Sequence, residues 1–60
     1  MIFNKVKNIF LIGVGGIGMS ALARYFIIMN KHLIGYDREF SQITDELQKL
    51  GVKITFDEHD

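Results

Sequence analysis

The chain has 60 residues, no cysteine, and seven Lys plus Arg against seven Asp plus Glu. This length allows at most one small domain, which buries only about 60% of the surface that its unfolded chain exposes. The lack of cysteine excludes disulfides and thiolate metal sites, and the zero net charge argues against a nucleic-acid partner. The apolar runs are shorter than the ~20 residues of a spanning helix, so we expect no membrane partner and a cytoplasmic location.

A strand and a helix are predicted in the first half of the chain, joined by a glycine-rich segment. Residues 7–12 are rich in β-branched and aromatic side chains without clear alternation, which favours a strand buried on both faces. Residues 13–18, GVGGIG, follow directly. A helix is predicted over about 16–29, where the sequence is apolar nearly all round, and Asn30 is expected to end it in the left-handed conformation.

The second half predicts a strand, a helix and a third strand. The strand covers residues 33–36 and ends at Asp37, and Ser41 can cap the helix that follows. The apolar face of this helix takes positions i, i+4 and i+7, which are Ile43, Leu47 and Leu50. Gly51 closes the helix, and residues 52–56 alternate well enough for a strand.

These elements predict an α/β fold of the Rossmann-like kind, a β-α-β-α-β fragment of a parallel sheet. The connections suit only parallel pairing, and right-handed crossovers then give the strand order 3-2-1. The first strand would lie at an edge although its sequence is that of a central strand. We therefore expect that more chain normally follows residue 60.

The glycine-rich segment is the candidate binding site, because N–H groups at a helix N-terminus bind phosphate with the main chain alone. Gly13 permits a sharp turn, Gly15 lets the backbone approach a phosphate, and Gly18 lets helix and strand pack closely. Gly16 is an additional glycine beyond this pattern. Asp37 stands 19 positions after Gly18, at the end of the second predicted strand. An acidic residue at this place commonly meets ribose hydroxyls.

Several residues near this segment have a structural alternative. Asp37 can instead cap the turn that follows it, and the hydroxyl of Ser20 can bond a ligand or serve only the helix backbone. Tyr36 and Phe40 can stack on a base but are more often packing residues. The two histidines lack metal-ligand spacing, and His59 is expected in a solvated tail.

Three segments carry a resemblance to a known family: residues 12–23, IGVGGIGMSALA, residues 35–37, GYD, and residues 44–52. Together they resemble the Mur ligases over nearly the whole chain. The resemblance implies that residues 1–60 are the N-terminal part of a Rossmann-like domain that binds a UDP substrate, with Asp37 near the uridine or its ribose. The predicted diphosphate-binding residues are Gly13, Gly15, Gly16, Ile17, Gly18, Met19 and Ser20. Asn30 and Tyr36 depart from the smaller residues common at their positions.

The resemblance also implies a function. The members most similar in these segments add L-alanine to the lactyl carboxylate of UDP-N-acetylmuramic acid, with ATP and Mg²⁺, in cytoplasmic peptidoglycan synthesis for cell-wall growth and division. No Gly-Lys-Thr or Gly-Lys-Ser phosphate loop occurs in the chain. We therefore expect the ATP-binding catalytic domain and the C-terminal domain to be absent, and the fragment alone to be inactive, with no catalytic residue, metal site or cofactor.

Three other functions remain open from the sequence. The related ligase that recycles cell-wall tripeptide shares the glycine-rich segment. An NAD- or FAD-binding fragment of an oxidoreductase would suit the same glycine spacing and Asp37. An interaction module without a ligand, which self-associates through its apolar helix and open sheet edge, is the third possibility.

Overall fold

The structure is a computed structural model that describes residues 7–57 of the chain. The elements of this range are β1 (Asn8–Ile12), α1 (Ile17–Ile28), β2 (His32–Asp37), α2 (Gln42–Lys49) and β3 (Lys53–Phe56). β1 and β3 both pair with β2 in parallel, with Asn8 opposite His32 and Ile34 opposite Lys53. The predicted α/β class and the strand order 3-2-1 are confirmed.

The core lies on one face of the sheet. It is a single cluster of buried side chains from the strands, both helices and two connections, namely Leu11, Val14, Ala23, Phe26, Leu33, Leu47 and Val52. Right-handed crossovers place both helices on the same side of three successive parallel strands, and the single cluster agrees with that arrangement. No helix in the described part of the chain is long and apolar enough to cross a membrane.

The opposite face of the sheet, which we call the outer face, is exposed. It carries the side chains that alternate with those of the core, and Phe10, Ile12 and Ile34 are 59%, 64% and 50% exposed there. The prediction that the first strand is buried on both faces is therefore wrong for the described residues. The reason is that β1 lies at the edge of the sheet and is covered by helices on one side only.

The helix ends largely follow the sequence signals. Asn30 has φ +61°, so the predicted left-handed residue after α1 is confirmed. Ser41 caps α2 through a capping box, in which its Oγ accepts from the Thr44 N–H at 3.2 Å and the Thr44 Oγ1 accepts from the Ser41 N–H at 2.8 Å. Leu50, predicted on the apolar face, is 52% exposed because α2 ends one residue earlier, and Thr44 is fully buried instead.

The connection between β1 and α1, residues 13–16, is called the glycine loop below. Its Val14 side chain is fully buried and lies against Gly35 of β2. A Cβ on Gly35 would come within 3.0 to 3.3 Å of three Val14 carbons, which is closer than side chains normally pack. Gly35 therefore weakens β2 as a strand but makes room for the glycine loop to pack on it.

Replacing Gly35 by alanine should destabilise the fold. The added methyl group is forced against Val14, and overpacking of this kind costs about 1 to 3 kcal/mol in the free energy of unfolding. Urea denaturation of Gly35→Ala measures this loss. The matched control is Val14→Ala/Gly35→Ala, in which the crowding is removed, so the two substitutions should cost less together than the sum of the single variants. A Gly35→Ala variant as stable as the original chain would contradict the packing argument.

Candidate functional site

The glycine loop lies at the carboxyl edge of the sheet, where open α/β proteins usually bind their ligands. It leaves the end of β1 and enters the N-terminus of α1 within four residues. Gly13 has φ +73°, a left-handed conformation that glycine adopts without strain. The sharp turn predicted at this glycine is confirmed.

The glycine loop is hydrogen-bonded to the end of β2 through three consecutive main-chain N–H groups. Gly13 and Val14 both donate to the carbonyl oxygen of Tyr36, at 2.8 and 3.1 Å. Gly15 donates to the Oδ2 of Asp37 at 2.6 Å, a short charge-assisted bond. The structure therefore brings two of the predicted site residues, Gly15 and Asp37, into direct contact.

Gly15 has a packing reason for lacking a side chain. A Cβ at this position would lie 2.7 Å from the Asp37 Oδ2 and 3.0 Å from the Thr44 Cγ2. The space beside Gly15 is thus filled by the end of β2 and by the first turn of α2. Thr44 is not among the site residues predicted from the sequence, although it stands three positions after Ser41, where a polar side chain can bond back to the N-cap N–H.

The first turn of α1 presents the remaining predicted diphosphate residues. Gly16 is the N-cap, its N–H donates to the Gly13 carbonyl at 2.9 Å, and no side chain caps the helix. Ile17, Gly18 and Met19 are the first three helical residues, whose N–H groups have no carbonyl four residues earlier within the helix. These N–H groups and the helix dipole give this end of α1 a partial positive charge, with no acidic residue in the first turn to offset it.

Gly18 and Ser20 have well-defined surroundings. A Cβ on Gly18 would meet no atom of the described residues within 4 Å, so the close packing of helix and strand expected there is not seen. The Ser20 hydroxyl donates to the Ile17 carbonyl at 3.0 Å, and the residue is 7% exposed. Of its two expected roles, the structure shows the one that serves the helix backbone.

Asp37 faces the glycine loop rather than only its own turn. Its Oδ1 accepts the Glu39 N–H at 3.4 Å, a long bond compared with the one from Gly15. The Gly15 N–H is the main cause that holds the pKa of Asp37 below its ordinary value of 3.8. The carboxylate is therefore ionised at neutral pH and lies between the glycine loop and the turn after β2.

The aromatic residues beside Asp37 make contacts within the protein. The ring of Phe40 lies 6.0 Å from that of Phe56, centre to centre, at a tilt of 59°. The Tyr36 hydroxyl donates to the Asp57 carboxylate just after β3, and this bond raises the pKa of Tyr36 above 10.0. These contacts agree with the packing role given to both aromatics, and base stacking stays a prediction.

A groove of about 360 Å³ opens at the other end of the sheet, among the starts of the strands and the ends of the helices. Its lining includes His32 and Lys53 but none of the predicted site residues. No group of three potential metal ligands occurs within residues 7–57, and His59 lies outside them. The glycine loop at the carboxyl edge therefore remains the candidate site.

The fold and the glycine loop together define the class of protein. A parallel β-α-β unit with a glycine-rich first connection and an acidic residue at the end of the second strand is the arrangement of Rossmann-like α/β proteins. Residues 8–60 match the family described as Mur ligase family, catalytic domain. The chain belongs to the Mur ligase family.

Proteins similar to this chain include bacterial UDP-N-acetylmuramate–L-alanine ligases. Those of Flavobacterium johnsoniae and Flavobacterium psychrophilum are each 48% identical over 59 residues, which make up 98% of this chain and 13% of the relative. The Campylobacter jejuni enzyme is 46% identical over 54 residues, 90% of this chain and 12% of the relative. The chain thus spans about an eighth of the length of these relatives.

Replacing Asp37 by asparagine should change how stability depends on pH. Because folding lowers the pKa of Asp37 below 3.8, its carboxylate stabilises the fold fully at higher pH and loses this effect as the pH falls through the pKa of the folded state. The original chain should therefore exceed Asp37→Asn in free energy of unfolding by a constant amount above about pH 5, and by less below pH 3.8. Urea denaturation between pH 3 and 7 checks this.

The exposed Glu39 provides a control for this pH dependence. Glu39→Gln removes a nearby exposed carboxylate and keeps Asp37, so the loss of stability at low pH that Asp37 causes should remain in this variant. A difference between the original chain and Asp37→Asn that stays constant down to pH 3 would contradict the assignment.

Proposed function

We propose that this chain is the UDP-substrate-binding start of an ATP-dependent ligase that adds L-alanine to UDP-N-acetylmuramic acid in peptidoglycan synthesis. The single observation that supports it most is the 48% identity, over nearly the whole chain, to enzymes with that name. A cytoplasmic location is part of the proposal.

The proposed role of the site is to bind the UDP diphosphate with main-chain N–H groups. The N–H groups of Gly13, Gly15 and Gly16 already donate within the protein, so those of Ile17, Gly18 and Met19 are the ones we assign to the phosphate oxygens. The N-terminal end of α1 supplies the favourable dipole. Gly13, Gly15, Gly16 and Ser20 then shape the site without donating to the ligand.

The uridine half of the ligand is assigned to the side of Asp37. The carboxylate lies at the carboxyl end of β2, next to the glycine loop, where an acidic residue of a Rossmann-like site meets ribose hydroxyls. Its Oδ1 accepts the long bond from the Glu39 N–H and can accept a further bond from a hydroxyl donor. In the proposal, the diphosphate and the ribose therefore occupy neighbouring parts of the carboxyl edge of the sheet.

The sequence has no ATP phosphate loop, and residues 7–57 hold no group of three carboxylates, histidines or cysteines for Mg²⁺. A phosphate loop for ATP needs a lysine after its glycines, and this chain has Met19 and Ser20 after Gly18 instead. No step of the ligation is therefore assigned to residues 1–60. Their part in the proposed reaction is to bind and orient the UDP-linked acceptor.

Replacing Gly18 should separate ligand binding from folding. A side chain here meets open space, so Gly18→Ala should fold and gain about 0.5 to 1 kcal/mol from its higher helix propensity. Gly18→Asp should fold equally well, because an acidic residue in the first turn favours the helix dipole. The aspartate carboxylate would however repel a diphosphate at the same N–H groups.

We expect Gly18→Asp to weaken UDP-N-acetylmuramic acid at least tenfold relative to Gly18→Ala, since like charges a few ångströms apart repel by about 1 to 4 kcal/mol. Amide shifts in NMR titrations report both the affinity and the place of binding. Equal affinities of the two variants, or no shift at residues 17–19 in the original chain, would overturn the assignment of the diphosphate site.

Titrations with other ligands distinguish the remaining functions. Tighter binding of NAD than of UDP-N-acetylmuramic acid would favour the oxidoreductase reading, and preference for the tripeptide-bearing sugar would favour the recycling ligase. Sedimentation that depends on concentration without any response to nucleotides would favour the interaction module, for which the exposed outer face is the relevant surface.

A further inference from the structure

The Asp37 carboxylate contacts two segments of the protein with its two oxygens. Oδ2 accepts the Gly15 N–H at 2.6 Å, and Oδ1 accepts the Glu39 N–H at 3.4 Å. The shorter bond reaches across 22 positions of sequence, from the end of β2 to the middle of the glycine loop. An acidic residue that served only a ribose would not need this bond.

The Gly15 N–H is held differently from the two N–H groups that precede it. The N–H groups of Gly13 and Val14 are held by the main chain of Tyr36, which almost any residue at position 36 could supply. The Gly15 N–H, in contrast, is held by a side chain, and Gly15 itself has no side chain with which to pack. The Thr44 methyl group closes the other side of this contact, within 3.0 Å of where a Cβ would be.

The next residues along the chain are those assigned to the ligand. Gly16 is the N-cap of α1, so the orientation of the Gly15–Gly16 peptide fixes where the first helical turn begins. The directions of the N–H groups of Ile17, Gly18 and Met19 depend on the orientation of that first turn. A change in the conformation of Gly15 would therefore alter the directions of the N–H groups of Ile17 to Met19, although Asp37 is not hydrogen-bonded to them.

We propose that Asp37 is a positioning residue: its Oδ2 holds the glycine loop in the conformation that aims the first N–H groups of α1 at the diphosphate, while its Oδ1 receives the ribose hydroxyl. The part of this inference that concerns diphosphate and ribose rests on the proposed function. The part that concerns the conformation of the glycine loop, here called the loop-positioning half, does not. One carboxylate thus links the two halves of the ligand through the protein.

Inorganic pyrophosphate is the probe that separates positioning from direct contact, because it has no ribose. Removing a negative charge near an anion site should by itself strengthen pyrophosphate binding. Loss of positioning should weaken it. The two effects therefore have opposite signs, and Asp37→Ala decides between them.

The variant set is Asp37→Ala, Asp37→Asn and, as the matched control, Glu39→Gln. Asp37→Ala should bind pyrophosphate about tenfold more weakly, the factor expected for loss of one hydrogen bond of about 1.4 kcal/mol. Asp37→Asn retains an oxygen that can accept from Gly15 and should restore binding to within about threefold of the original chain. Glu39→Gln should bind as well as the original chain or slightly better. Unchanged or tighter binding by Asp37→Ala would overturn the proposal.

The amide of Gly15 gives a second readout that needs no ligand. Its hydrogen exchange should be about tenfold faster in Asp37→Ala than in Glu39→Gln. In the original chain its chemical shift should follow the Asp37 carboxyl carbon with the same midpoint as the pH is lowered. Within residues 7–57, the titratable and charged residues next to this carboxylate are Tyr36, Arg38 and Glu39.

The two readouts separate failure of this inference from failure of the proposed function. If the original chain binds no pyrophosphate but the Gly15 amide follows Asp37, the proposed function fails and the loop-positioning half stands. If the Gly15 amide is indifferent to Asp37 in both measurements, the positioning role is overturned whatever binds. The titration uses the original chain only, so it remains decisive even if Asp37→Ala does not fold.

Discussion

The attachment of the glycine loop to the end of β2 is the contact on which the rest of this structure depends. Three successive N–H groups, from Gly13 to Gly15, point at Tyr36 and Asp37, and the intervening Val14 side chain enters the core beside Gly35. The loop is thus held both by hydrogen bonds of its main chain and by the packing of its Val14 side chain. This arrangement fixes the start of α1, whose first three N–H groups have no carbonyl partner within the helix.

The same contact explains how so small a sheet can hold a defined loop. The core is confined to one face, and Phe10, Ile12 and Ile34 remain exposed on the outer face, so apolar burial alone gives limited stability. At the carboxyl edge, the hydrogen bonds from the glycine loop to Tyr36 and Asp37 and the burial of Val14 add local stability. The exposed Arg24–Glu46 ion pair between the helices, at 3.0 Å, adds little by comparison.

Much of the fold was predictable because its signals are local. The element order, the left-handed Asn30 and the Ser41 cap are specified by residues close to each feature in the sequence, and these predictions are confirmed. The surroundings of Gly15 were not predictable, since they depend on Asp37 and Thr44 meeting across two elements. A glycine pattern shows where side chains are absent but not whether a ligand or the protein fills the space. The exposure of β1 also escaped prediction, because strand composition does not record how many helix layers cover a sheet.

The last two residues of β2 point to opposite faces of the sheet, with Asp37 on the glycine loop and the Tyr36 hydroxyl on Asp57 beyond β3. A slip of β2 by one position would exchange them and send the carboxylate to the outer face. The outer face is itself apolar at Phe10, Ile12 and Ile34, so the difference in hydrophobicity between the two faces is a weaker guide to register than in a sheet with a polar outer face. The hydrogen bonds between the glycine loop and the end of β2 thus favour the observed strand alignment, so a substitution that weakens them would also weaken the register of the sheet.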